Sequence, residues 1–166
     1  GYSSAASDVY KRQFIINAFG VKLFQIKCTR RIKYAEVGDL GGYIEKEDNL
    51  SGDAWVYGNA WVYGDAWVSG DAQVYGNAQV YGNARVSGDA RVSNNNEHCG
   101  FDCFGSVNRH THAYKTQSGK VEITCGCFRG SIEEFDRQVK KTHQGNKFER
   151  QYMAIAEVIK IKFGLK

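Results

Sequence analysis

Proline is absent from the 166 residues, while glycine, at 19, is strictly spaced rather than clustered, so the composition is not that of a flexible linker. No run of about 18 apolar residues occurs, which removes a membrane-spanning helix from consideration. No secretory signal pattern is visible. Charge of one sign is scarce: 22 Lys and Arg against 18 Asp and Glu leave a net +4. That mild excess permits anionic partners but carries no nucleic-acid signature. Histidine is missing from the whole chain before His98. No nucleophile elbow, phosphate loop or paired-carboxylate motif is found. The cysteines are five, Cys28, Cys99, Cys103, Cys125 and Cys127. An odd count without a secretion signal favours reduced thiols and a cytoplasmic setting.

What the chain does contain is a short period. Seven uninterrupted hexads of the form [S/Y]-G-[D/N]-A-x-V run from Ser51 to Val92. A fixed short period implies a solenoid, in which each coil buries its apolar side against the next. Valine, β-branched, suits an inward strand position, and the alanine two residues earlier shares its face. Gly followed by Asp or Asn supplies the turn. A second period sets the geometry. Serine replaces tyrosine at Ser51, Ser69 and Ser87, so eighteen residues, three hexads, complete one triangular coil. On that spacing Trp55, Gln73 and Arg91 stack on one side, Trp61 and Gln79 on the second, and Trp67 and Arg85 on the third. Tyr57 lies under Tyr75, and Tyr63 under Tyr81.

The repeat resembles that of hexapeptide-repeat proteins, and the resemblance implies a left-handed parallel β-helix. The expected class is mainly β: a short left-handed hexapeptide-repeat solenoid over 44–93, followed by a small C-terminal ββαα module over 94–166. Residues 14–43 lead into the solenoid. Residues 1–13 are read as a non-native sequencing scar or a disordered tail, because Asp8–Gln13, DVYKRQ, is what the transposase adapter GATGTGTATAAGAGACAG encodes. An adapter scar points to an environmental assembly, and so towards a phage or an uncultured bacterium.

Residues 93–105 read as a polar, loop-like break. Beyond them, the stretches around His110 and Ile123 read as two strands about a Ser118-Gly119 turn. Ser131 to Glu134 is a capping box that starts a helix near Ile132, ended by Gly145. A second helix is expected over about 147–163, with Phe148, Tyr152, Ile155, Ile159 and Phe163 on one face. This module and the segment GDLGGYIEKEDNLS resemble uncharacterised phage and prophage proteins. That resemblance brings no activity with it. Cys99, Cys103, Cys125 and Cys127 with His98, His110 and His112 are zinc-ligand types. However, their spacing departs from CxxC knuckles, and small buried thiols explain them as well. No metal and no cofactor is expected, and His110 and His112, which share a strand face, are read as solvated.

Large exposed aromatic bands mark contacts. Either flanking segments and neighbouring subunits cover the Trp and Tyr positions, or they form a platform for a ligand. The platform would comprise Trp55, Trp61, Trp67, Tyr57, Tyr63, Tyr75 and Tyr81 for stacking, and Arg85 and Arg91 for phosphate, with His110 and His112 as a second location. Many hexapeptide-repeat proteins are acyltransferases with a catalytic histidine, and resemblance alone would make this an enzyme. The absence of any histidine from the repeat speaks against that. The expected function is a non-catalytic phage-type binding protein, sequestering a nucleotide-like signal of bacterial antiviral defence at subunit interfaces. The alternatives are an acyltransferase-like enzyme and a structural or host-protein-blocking trimer. A homo-oligomer, a trimer in the first instance, is expected in the host cytosol, with a host protein as the other partner and with neither membrane nor nucleic acid.

Overall fold

The computed structural model describes residues 5–166, with backbone only for 10–12. The chain divides into two compact units, the first ending at Asn95 and the second beginning at Asn96.

The first unit opens with three strands, β1 (Ser7–Ile16), β2 (Lys22–Cys28) and β3 (Leu40–Ile44), paired antiparallel in that order. A 3-10 turn, Glu47–Asn49, follows. Then each hexad contributes one two-residue strand: β4 (Trp55–Val56), β5 (Trp61–Val62), β6 (Trp67–Val68), β7 (Gln73–Val74), β8 (Gln79–Val80), β9 (Arg85–Val86) and β10 (Arg91–Val92). All pair in parallel eighteen residues apart, Trp55 with Gln73, Trp61 with Gln79, Trp67 with Arg85, and Gln73 with Arg91. The result is a β-solenoid with three faces, β4-β7-β10, β3-β5-β8 and β6-β9. Outward-facing positions bond to the carbonyl one coil on, as from the Trp55 amide to Ala72 and from the Tyr57 amide to Val74, while alanine amides close the turns, as from Ala54 to Ser51.

Its core is the expected one. All seven hexad valines and all seven alanines are buried. Each valine taken fully out of water contributes about 1.5–3 kcal/mol. The turn glycines, such as Gly70 at φ +66, adopt the left-handed conformation that the Gly-Asp/Asn pair suggests. The coil also begins earlier than the hexads do. Ile44 pairs with Val62 and Leu50 bridges Val68, the same spacing of eighteen carried by residues that lack the motif.

The segment expected as a scar or loose tail joins this sheet. Ser7, Asp8 and Val9 face Cys28, Lys27 and Ile26, and Phe14 faces Phe24 across an irregularity in register. Ala5 bridges Gly52, and Ala5 to Ser7 are buried. Backbone pairing recruits the segment whatever its genetic origin, because β2 offers it an open edge.

The second unit carries four strands rather than the expected two: β11 (His98–Phe104), β12 (Arg109–Lys115), β13 (Val121–Cys125) and β14 (Phe128–Gly130), antiparallel in chain order. β11 falls in the stretch read as a loop. Its sequence, HCGFDCF, has no clean alternation, and pairing with β12 overrides weak local propensity. The helices α1 (Ile132–His143) and α2 (Lys147–Phe163) follow as expected, and the capping box at Ser131 and Glu134 is formed. Gln144, rather than Gly145, takes the left-handed cap of α1, and Asn146 caps α2. Ile132, Phe135 and Val139 of α1 and Tyr152, Ile155, Ala156 and Ile159 of α2 bury against Ala113, Val121, Ile123 and Cys125 of the sheet.

Candidate functional site on the solenoid faces

The three tryptophans stand on three faces and meet three fates. Trp55 is buried, 3% exposed, and so is Gln73 in the next coil. Of the two readings of the aromatic band, cover by the chain itself holds for Trp55, which is therefore not part of an open platform. Trp61 is half-buried, and Trp67 is 41% exposed. The Trp67 indole nitrogen donates to Ser51 Oγ at 2.8 Å, and the Arg85 guanidinium lies 5.7 Å from its ring centroid.

The tyrosines pair as the coil geometry requires. Tyr57 and Tyr75 stack with ring centroids 4.9 Å apart and planes 3° from parallel, and Tyr63 and Tyr81 stack at 5.3 Å and 16°. Arg91 Nε donates to Tyr75 Oη at 2.9 Å, and its guanidinium sits 5.5 Å from the ring centroid. Tyr57 Oη donates to Gln73 Oε1 at 3.3 Å. Burial, reinforced by the neighbouring phenol, raises the pKa of Tyr57 and Tyr63, so both are neutral donors at pH 7. The hydrogen bond to Tyr75 holds Arg91 firmly protonated. Much of the aromatic surface is thus stacked on its own next coil.

The face β3-β5-β8 is different. A groove of about 450 Å3 opens there, lined by Ile15, Tyr43, Trp61, Asn59, Asn77 and Gln79. It offers an indole, a phenol and three amides, and no charged group. Arg85 and Arg91, expected as its phosphate partners, stand on the other two faces. The three amide residues were missed from sequence, although a signal existed. Asn59, Asn77 and Asn95 repeat at eighteen, one column of asparagine beside a column of aspartate at Asp53, Asp71 and Asp89. Asn95 Oδ1 accepts from the Gln79 amide at 2.9 Å, closing that column.

His110 and His112 belong to the second unit and form a row with His98, which the sequence grouped with them only as a ligand type, and with Asp102, which it did not suggest. His110 Nδ1 lies 2.6 Å from Asp102 Oδ1, His110 Nε2 lies 3.0 Å from His112 Nδ1, and His112 Nε2 lies 3.0 Å from His98 Nδ1. An ionised Asp102 only accepts, so a neutral row has each ring protonated on Nδ1, with His110 and His112 accepting on Nε2. The expected solvation of His112 is corrected: it is 3% exposed, and burial together with His98 and His110 pushes its pKa well below 6.5. Gly100 makes the row fit, since a Cβ there would lie 2.6 Å from His110 Cε1 and 2.8 Å from His112 Nδ1.

All five cysteines are free thiols. Burial raises Cys99 to about 11, which keeps it protonated and unreactive at neutral pH. Among the described residues, no set of three or more His, Cys, Asp or Glu side chains is placed to hold a metal ion. Among the described residues, no helix is long and apolar enough to cross a membrane.

The family described as YdcK Beta solenoid repeat matches residues 54–70 and 78–94. Both stretches lie along the coils, so this is a β-solenoid repeat protein by sequence profile as well as by strand pairing. No curated protein matches the chain.

Proposed function

We propose that this protein acts by binding rather than turnover, and that its solenoid takes up the base of a nucleotide-like ligand in the groove over Trp61. The observation that carries this reading is the groove's lining. An indole face beside Asn59, Asn77 and Gln79 supplies stacking and amide donors and acceptors in one place. Stacking of a base on an aromatic side chain is worth about 1–3 kcal/mol. Amides read the donor and acceptor edge of a heterocycle. The groove has no cation, so it holds the neutral base, and the phosphates extend beyond it.

Calorimetry with adenosine, AMP, cyclic dinucleotides and ADP-ribose derivatives tests this. At least one should bind tighter than millimolar and return unaltered. Trp61→Ala should weaken it at least tenfold, whereas the Arg85→Ala/Arg91→Ala double variant should leave it nearly unchanged. If none binds, the groove is a protein contact. If a ligand returns chemically altered, the protein is an enzyme.

The same reading includes a homo-oligomer, a trimer first. Its support is apolar surface left on the first unit, where Phe14, Ile16, Phe19, Trp67 and Tyr81 remain exposed. Sedimentation at micromolar concentration should give three chains, and a strict monomer would refute the assembly. Resemblance to hexapeptide repeats supports a left-handed coil. Resemblance to phage proteins supports a phage-encoded product sequestering a defence signal in the host cytosol.

A further inference from the structure

The second unit holds a cavity that the solenoid reading leaves unused. It measures about 510 Å3, within the range of about 300–1,000 Å3 usual for small-molecule sites. Its apolar part is formed by Phe128 of β14, Phe135 and Val139 of α1, and Tyr152 of α2. These rings are locked together. Phe128 and Phe135 pack tilted at 5.5 Å, Phe135 meets Tyr152 edge-on at 5.8 Å, and His143 stacks on Tyr152 at 5.4 Å. Phe135, Val139 and Tyr152 are each 5% exposed or less, so the pocket is pre-formed rather than a loose surface fold.

The polar part carries one permanent charge. Arg109, at the start of β12, lines the cavity, and no Asp, Glu or Lys does. No ion pair with a carboxylate engages Arg109 among the described residues. Its guanidinium is laid against bare backbone at Gly126, whose missing side chain would collide with Nη1 and come within 2.9 Å of Cζ. Gly126 is at φ +59 in the β13–β14 turn, so the turn that shapes the sheet edge also seats the arginine. Beside it, the Tyr152 hydroxyl accepts from the Cys125 thiol at 3.9 Å and keeps its own proton to offer. Burial, with Cys125 adding to it, pushes Tyr152 up to about 12, so the phenol remains a neutral donor throughout the physiological range.

We propose that this cavity is a binding site for a small apolar carboxylate. The ligand's aromatic or branched body rests among Phe128, Phe135 and Val139, and its carboxylate pairs with Arg109. Charge complementarity selects this class. An uncompensated guanidinium at the mouth of an apolar cavity favours an anion and opposes an amine, and its planar fork matches two carboxylate oxygens. The site is independent of the groove over Trp61.

The test uses the full chain and three probes of one shape: 3-phenylpropionate, 3-phenylpropionamide and 3-phenylpropylamine. Calorimetry should show the carboxylate binding at least tenfold tighter than the amide, with the amine undetectable. Arg109→Gln, a change at an exposed side chain, should reduce the carboxylate to the level of the amide. Val139→Trp, which fills the cavity, should abolish both. Trp61→Ala should change neither. Equal affinity for carboxylate and amide, or carboxylate binding undiminished in Arg109→Gln, would overturn the proposal. Should Val139→Trp fail to fold, the wild-type comparison of the three probes still decides it.

Discussion

Replacing Asn49 with alanine is expected to cost the solenoid about 4 kcal/mol, a large share of the stability of an ordinary domain. Asn49 is fully buried in the 3-10 turn that precedes the first hexad. Its side-chain amide donates to Gly64 O at 3.1 Å and Ala66 O at 2.8 Å, and its side-chain oxygen accepts from the Lys46 amide at 2.9 Å. One side chain therefore satisfies three backbone groups at the end of the coil stack. Each buried group left without a partner costs about 1–3 kcal/mol. Aspartate should be no better, since it keeps the acceptor but turns a second oxygen towards two carbonyls. The readout is clean, because all three tryptophans lie in the first unit, so their fluorescence during urea unfolding reports the solenoid alone. A loss below about 0.5 kcal/mol would mean that water replaces the amide there.

Acid should act on the other unit. The buried His112 is neutral in the folded state because burial first, then His98 and His110, hold its pKa well below 6.5. In the unfolded chain the same ring protonates near pH 6.5. Below that value the unfolded state binds more protons than the folded one, so stability falls as pH falls. The contribution is complete above about pH 6.5 and declines by about 1.4 kcal/mol per pH unit beneath it, until the folded ring itself protonates. The groups facing His112 are His98 from β11 and His110 from its own strand, and Asp102 holds the far side of His110. Both α-helices belong to this unit, so helical circular dichroism follows it while tryptophan fluorescence follows the solenoid. The helical signal should melt at progressively lower temperature from pH 7 to pH 5, and His112→Gln should flatten that slope. An unchanged slope in the variant would place the acid-sensitive group elsewhere.

The sequence by itself determined the periodic part of this protein. Valine and alanine two residues apart, a Gly-Asp or Gly-Asn turn every sixth residue, and serine every eighteenth fix strand faces, corners and coil length. Each of those is a local property that repeats, and stacking identical units admits few other solutions. The helices were legible for the same reason: a capping box and a 3.6-residue stripe act within a few residues of one another, although the left-handed cap of α1 fell on Gln144 rather than Gly145.

The rest was decided by tertiary structure. β11 is a strand because β12 offers it an edge, not because HCGFDCF prefers extension. Residues 7–9 pair with β2 on the same ground. Trp55, Trp61 and Trp67 occupy equivalent hexad positions, yet one is buried, one half-buried and one exposed, because non-repeating segments cover the three faces unequally. The two arginines read as phosphate partners stand on faces away from the groove, since coil position, not spacing to the nearest aromatic, sets which residues converge. Arg109 and Tyr152 are 43 residues apart in sequence and share one cavity only after sheet and helices close on each other. Long-range convergence of that kind leaves no local period to read.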